Sequence, residues 1–125
     1  MRHLFLSLVF AFVAITASFH SAQAAEAKQD FTLVNKTGYE IKEVYVSPSK
    51  SDDWEEDVLG KDTLSDGDSW RIKFHRNTRT CKWDLKVVYA DDDSDAVWNN
   101  IDLCSIDKIT IKYNRKSNTT SAVFD

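Results

Sequence analysis

The sequence predicts an antiparallel β-sandwich of immunoglobulin-like type with about seven strands, and a small closed β-barrel is the alternative. Short segments alternate between apolar and polar residues, turn residues separate them, and no window keeps a helical period. The predicted strands are residues 31–35, 40–47, 69–75, 81–90, 96–104, 109–113 and 119–124.

Each strand prediction depends on local residue types. The first strand ends at the turn Thr37-Gly38, and the second ends at Pro48. A long acidic segment follows, and the third strand then places Trp70 and Ile72 on one face. The last two strands form a hairpin around residues 115–118. Residues 25–30 are polar and are predicted to form a frayed end.

The fourth and fifth strands conflict in phase. Cys81, Trp83, Leu85, Val87 and Tyr89 share one face, but a regular hairpin with Cys81 opposite Cys104 puts Trp83 against Asp102 and Val87 against Trp98. Two explanations remain open. Either a bulge near residues 98–100 resets the phase, or the two cysteines are not a direct cross-strand pair.

The first 24 residues have the parts of a secretory signal peptide. Arg2 and His3 give a basic start, residues 4–17 are apolar, and Ala22-Gln23-Ala24 matches a cleavage site. We therefore expect residues 25–125 to form a single domain, in the periplasm or secreted, without a membrane span.

Charge and cysteine content narrow the function classes. The formal net charge is −4 at pH 7, which makes nucleic acid an unfavourable partner and a basic protein or a cell-envelope component a favourable one. Cys81 and Cys104 are the only cysteines, and an exported chain is expected to join them in a disulfide.

The acidic segment predicts a cation site. Asp53, Asp57 and Asp62 supply carboxylates near Gly60, and Ca²⁺ prefers several oxygen ligands. The alternative is a solvated loop that Trp54 pins to the core.

A second acidic cluster has a more defined spacing. Six residues fall at positions 1, 3, 5, 7, 9 and 12 of an EF-hand loop, although position 6 lacks glycine and the flanks are predicted strands. Five of them would bind Ca²⁺ through side chains: Asp91, Asp93, Asp95, Asn99 and Asp102. The alternative is a polar hairpin tip.

Catalysis has little support in the sequence. His75 is the only histidine after residue 24, and its strand phase places it on a polar face. A carboxylate pair for glycoside hydrolysis would follow only from the abundance of acids. Exposed tryptophans could instead contact a sugar or a protein partner, and Trp54 and Trp98 are the candidates.

One motif resembles a known family. Ser47-Pro48-Ser49 begins a stretch similar to S-P-S-x-S-x-D-W-x-x-D-x-L-G-x-D, which resembles a family of small exported bacterial proteins. The remaining matches to the motif are Ser51, Asp53, Trp54, Asp57, Leu59, Gly60 and Asp62. The resemblance implies fold and export but no mechanism.

The sequence as a whole predicts a non-enzymatic binding protein with an acidic loop that holds Ca²⁺, another divalent cation or a basic partner. A structural or protein-interaction module without a metal is the alternative. A carbohydrate-binding or hydrolytic protein is the third candidate.

Overall fold

The computed structural model describes residues 26–125, and the predicted signal peptide lies outside the described residues. Seven strands and one short 3-10 helix, η1, follow each other along the chain. They are β1 Phe31–Lys36, β2 Ile41–Pro48, β3 Ser69–Ile72, β4 Lys82–Tyr89, β5 Asp95–Asp102, η1 Leu103–Ser105, β6 Lys108–Asn114 and β7 Thr119–Phe124. Within residues 26–125, no helix is long and apolar enough to cross a bilayer.

The strands form two sheets, which confirms the predicted sandwich and not the barrel. One sheet has the order β3-β1-β6-β7 and the other β2-β4-β5. All pairs are antiparallel except β1–β6, whose parallel register places Leu33 beside Ile109 and Asn35 beside Ile111. The predicted alternation does not reveal this parallel pair, because it indicates which residues face inward and not which strand lies alongside.

The core lies between the two sheets. Phe31, Leu33, Val87, Ile109 and Ile111 are fully enclosed, and they come from strands of both sheets. The predicted inward face of β4 is confirmed, since its four inward residues from Trp83 to Tyr89 are all buried.

The phase conflict between β4 and β5 has both of the predicted explanations: a bulge in β5, and cysteines that are not a direct cross-strand pair. Trp83 pairs with Ile101 but Leu85 pairs with Trp98, so β5 carries one extra residue between these two pairs. Asn100 has a φ of 57°, and the Asp84 carboxylate accepts a hydrogen bond from its N–H at 2.9 Å. This bulge turns both Trp98 and Ile101 toward the core.

The disulfide is present, and it lies beyond the paired part of the hairpin. Cys81 precedes β4, and Cys104 lies in η1, after β5. The Cα atoms of the two residues are 5.3 Å apart. The Leu103 N–H donates to the Cys81 carbonyl at 2.9 Å, so η1 continues the contact between the two chain segments.

Residues 26–30 are not a frayed end. Ala27, Gln29 and Asp30 are buried. The Asp30 carboxylate accepts from the Ala27 N–H at 3.1 Å and from the Phe74 N–H at 2.7 Å. The Gln29 side chain donates to the carbonyls of Thr78 and Thr80. Polar composition suggested fraying, but these side chains bond to the segment after β3 and become part of the fold.

Candidate functional site

The acidic loop, residues 49–64, covers the outer edge of β2. The Val58 N–H donates to the Val44 carbonyl, and Leu64 exchanges two backbone hydrogen bonds with Ile41. Leu59 and Leu64 are buried in the core. The loop therefore hides the edge of β2 from other chains, as natural proteins commonly do.

Asp57 has a structural task in this loop. Its Oδ1 accepts from the Val44 N–H at 2.8 Å and from the Leu59 N–H at 3.0 Å. Asp53 and Asp62 are exposed. Of the three predicted calcium ligands, one thus bonds to the backbone while two face solvent.

The structure does not bring the three acids together. Within residues 26–125, the one group of three metal-ligating side chains whose ligand atoms lie within 4.8 Å of one another is Cys81, Asp102 and Cys104. Two of its members are the disulfide, which leaves no free thiolate for a metal. Calcium binding by the acidic loop therefore stays a prediction without a preformed carboxylate cluster behind it.

The EF-hand spacing is not realised as a loop. Asp95 begins β5 and Asp102 ends it, so these two residues lie about 23 Å apart along an extended strand. Asp93 pairs with Lys42, and Asp102 accepts from the Cys104 N–H at 3.1 Å. This geometry fits the alternative interpretation, a polar hairpin tip. The spacing alone cannot distinguish a calcium loop from a strand.

Trp54 packs with a tilted ring on the outer face of the sheet β2-β4-β5. Its ring lies 6.5 Å from that of Tyr45, and the Lys86 ammonium sits 5.3 Å from Trp54 and 4.9 Å from Tyr45. A cation over an aromatic face is attracted by the ring quadrupole. Trp54 thus anchors the acidic loop to β2 and β4, and Trp98 packs half-buried against the core.

A groove of about 1,070 Å³ runs between the acidic loop and β3. Trp54 and Trp70 both line it. One wall carries Glu55, Glu56 and Asp57, and the other carries Arg71 and Lys73. Three acids on one wall and two bases on the other give the lining a formal charge of −1.

A second cleft, of about 750 Å³, is lined by aromatic and acidic side chains. We call it the tyrosine–aspartate cleft, after six of its lining residues: Tyr39, Tyr89, Tyr113, Asp91, Asp92 and Asp95. It lies at one end of the sandwich, where the turns β1–β2, β4–β5 and β6–β7 meet. No lysine, arginine or histidine of the described chain lines it, and its lining carries a formal charge of −3.

The three tyrosines pack edge to face at this end of the molecule. Ring centroids are 5.4 Å apart for Tyr39 and Tyr113, 6.1 Å for Tyr89 and Tyr113, and 6.3 Å for Tyr39 and Tyr89. The Tyr89 hydroxyl lies 2.9 Å from that of Thr120, and the Tyr113 hydroxyl donates to Asn118 at 3.0 Å. The rings therefore form a fixed aromatic wall.

The protonation state of Asp92 contributes a negative charge to the cleft at neutral pH. Hydrogen bonds from the Ser94 hydroxyl and backbone N–H hold the pKa of Asp92 below its usual value. Burial raises the pKa of Tyr89 above its usual value, so its phenol stays neutral. The Asp92 carboxylate therefore keeps its charge in the same cleft as the uncharged Tyr89 ring, and this combination attracts cations.

Pattern analysis overlooked the three tyrosines as a group. Each one lies beside a turn: Tyr39 follows Gly38, Tyr89 precedes the acidic hairpin tip, and Tyr113 precedes the β6–β7 turn. A search for aromatic residues flanking turns at one end of a predicted sandwich would have grouped them. His75 is exposed after the end of β3, which gives it no buried catalytic environment.

Comparison with protein-family models, with curated proteins and with solved structures finds no match for this chain. The resemblance of the Ser47–Asp62 motif to a family of small exported bacterial proteins therefore stays a prediction.

Proposed function

We propose that the protein is an exported, non-enzymatic binding protein that takes a positively charged segment of a partner into the tyrosine–aspartate cleft. The observation that carries this proposal is the lining of the cleft, which contains three tyrosines and three aspartates. The Arg115 guanidinium already lies 5.3 Å from the centre of the Tyr39 ring, outside the lining, and shows how a basic side chain packs on this aromatic wall. Lysine and arginine side chains combine an apolar stem with a charged head, so they match such a wall.

Other features support the same class of function. The signal-like N-terminus and the disulfide favour export to an oxidising compartment, where the partner would be a basic protein or a cell-envelope component. The exposed His75 and the carboxylates bound to backbone N–H groups, such as Asp57, favour binding over catalysis.

Titration with a peptide of alternating lysine and glycine, followed by amide chemical shifts, tests the proposal. We expect shifts in residues 89–97 and 113–120, and none with an alternating glutamate–glycine peptide. Asp91→Asn combined with Asp95→Asn should weaken binding about five- to tenfold, because each exposed charge contributes up to about 1 kcal/mol.

The matched control is Asp52→Asn combined with Glu55→Gln. Both residues are exposed on the acidic loop, and the pair removes the same amount of charge. We expect it to change the affinity less than twofold. Equal weakening by both double variants would show attraction by net charge alone, and it would overturn the assignment of the cleft.

A further inference from the structure

Within residues 26–125, no segment covers the outer edge of β7, the last strand of the sheet β3-β1-β6-β7. Four strands are outermost in the two sheets: β2, β3, β5 and β7. The acidic loop covers β2, β3 has only four residues and carries Arg71, and β5 contains the bulge at Asn100. Short length, charge and bulges are the usual protections against edge-to-edge pairing.

β7 has none of these protections. Its six residues, TTSAVF, contain no charge and no proline, and its pairing with β6 is regular throughout. Val123 is 40% exposed and Phe124 is 41% exposed, and they are two of the three exposed large hydrophobic residues in the described chain. Among the described residues, the edge therefore presents backbone groups without a partner strand together with apolar side chains.

We infer that β7 pairs antiparallel with β7 of a second copy of this chain and forms a two-fold symmetric dimer. Such pairing would join the two four-stranded sheets into one sheet of eight strands. A two-fold interface uses the same edge on both copies and closes the assembly, so it does not propagate into a fibre.

The charges at the two ends of β7 favour a second copy of this chain as the partner, and they favour antiparallel pairing. The turn before β7 carries Arg115 and Lys116, whereas Asp125 follows the strand and Asp107 lies beside it, bonded to Asp125 through the backbone. Lys108 lies at the same end and only partly offsets the two acids. Antiparallel pairing brings the basic end of one copy to the acidic end of the other, whereas parallel pairing would bring like charges together.

The faces of the sheet restrict the register. Ala122 lies opposite the buried Ile111 and faces inward, whereas Ser121 and Val123 face outward. A two-fold axis normal to the sheet keeps the inner faces on one side, so residues of the same face must lie opposite each other. The axis then passes between the two copies of Ala122 or between the two copies of Ser121.

A register centred on Ala122 fits better. It places Thr120 opposite Phe124 of the second copy, and Ser121 opposite Val123 of the second copy. The register centred on Ser121 would set Phe124 against Asn118, whose φ of 52° turns the chain away from an extended strand. The Ala122 register also covers both Phe124 rings with the methyl groups of Thr120 and Ala122.

Sedimentation velocity over a range of concentrations tests the dimer. We expect a concentration-dependent dimer of the unsubstituted protein. Ser121→Lys combined with Val123→Lys should weaken it at least tenfold, because the register sets lysine opposite lysine twice. Both side chains are exposed, so the melting temperature should stay close to that of the unsubstituted protein.

The control is Val97→Lys combined with Asn99→Lys. These residues are exposed on β5, two positions apart, and they add the same charge to the other sheet. This variant should dimerise like the unsubstituted protein. A loss of the dimer in the control alone would move the interface to β5 and overturn the inference.

A complementary pair tests the register. Ser121→Asp combined with Val123→Asp should also weaken the dimer at least tenfold, whereas an equimolar mixture with the double-lysine variant should form a heterodimer. A mixture that remains monomeric would contradict the register centred on Ala122. A protein that stays monomeric up to about 1 mM would contradict the dimer itself.

Discussion

Asp57 shows how one carboxylate can organise a loop that is otherwise solvated. Its Oδ1 accepts two backbone N–H groups, one from the edge strand β2 and one from the loop itself. A carboxylate that accepts backbone hydrogen bonds makes stronger bonds than a neutral acceptor does. Asp57 therefore fixes the position of Leu59, which is buried in the core.

Replacing this side chain should destabilise the fold. We expect Asp57→Ala to lower the free energy of unfolding by about 1–3 kcal/mol, because the Val44 and Leu59 N–H groups lose their acceptor. Asp53→Ala is the matched control: Asp53 is exposed, and we expect a change within about 0.5 kcal/mol. Urea unfolding in the presence of a chelator measures both values. Equal losses in the two variants would refute the structural role of Asp57.

The same variants examine the calcium prediction. A ligand that binds only the native state raises its stability, so millimolar Ca²⁺ should raise the melting temperature if the acidic loop binds the ion. That rise should disappear in Asp53→Ala, a variant that leaves the Asp57 bonds intact. If Ca²⁺ left the melting temperature unchanged, Asp57 would act only as an acceptor of backbone hydrogen bonds and not as a calcium ligand.

Sequence reasoning at the residue level identified Asp57 and Trp54 but could not assign their contacts. Counting carboxylates cannot distinguish a metal ligand from an acceptor of backbone hydrogen bonds, because both tasks use the same oxygen atoms. Asn35 shows the same limit. It is fully buried, and its amide bonds to Thr37, Tyr39 and Leu64, although in sequence it appears only as the last residue of the first predicted strand.

At the scale of elements, the hairpin β4–β5 shows what alternation can and cannot predict. The phase conflict predicted either a bulge or cysteines that are not a direct cross-strand pair, and the structure contains both. A regular period of two cannot place Trp98 and Ile101 on the same face. The 3-10 turn that carries Cys104 had no such signal. It depends on the Asp102 side chain accepting from the Cys104 N–H, a local bond that periodicity does not report.

The disulfide should contribute substantially to the stability of this hairpin. Its cysteines are 23 residues apart, and closing a loop of that length in the unfolded chain corresponds to about 3 kcal/mol. We expect Cys81→Ser combined with Cys104→Ser to lose about that free energy of unfolding in urea. Reduction of the unsubstituted protein should give a similar loss. A loss below about 1 kcal/mol would show that the pairing of η1 with β4 suffices without the bond.

At the scale of the whole molecule, the fold depends on contacts between residues distant in sequence. The parallel pairing of β1 with β6 and the tyrosine cluster at one end both fall in this class. Strand positions and inward faces follow from local patterns. Local patterns do not predict which strand pairs with which, because the packing of the complete core decides the pairing. The tyrosine–aspartate cleft depends on that pairing.

Tyr89 should contribute to the loss of stability at alkaline pH. Burial raises the pKa of Tyr89, so the folded state favours the neutral phenol. The resulting stability is fully present below the unfolded pKa of about 10 and is lost as the pH rises through the folded pKa. We expect Tyr89→Phe to lose about 1 kcal/mol at pH 7, where its bond to Thr120 is removed, and to show a weaker decline above about pH 10.

Thr120→Val supplies the matched comparison for this experiment. It removes the same hydrogen bond but keeps the phenol, and that bond is the one contact that lowers the Tyr89 pKa. The variant should therefore lose a similar free energy at pH 7 and decline at least as steeply as the unsubstituted protein at alkaline pH. Urea unfolding across this pH range measures all three proteins. If Tyr89→Phe declined as steeply as Thr120→Val, another group would be responsible for the alkaline loss.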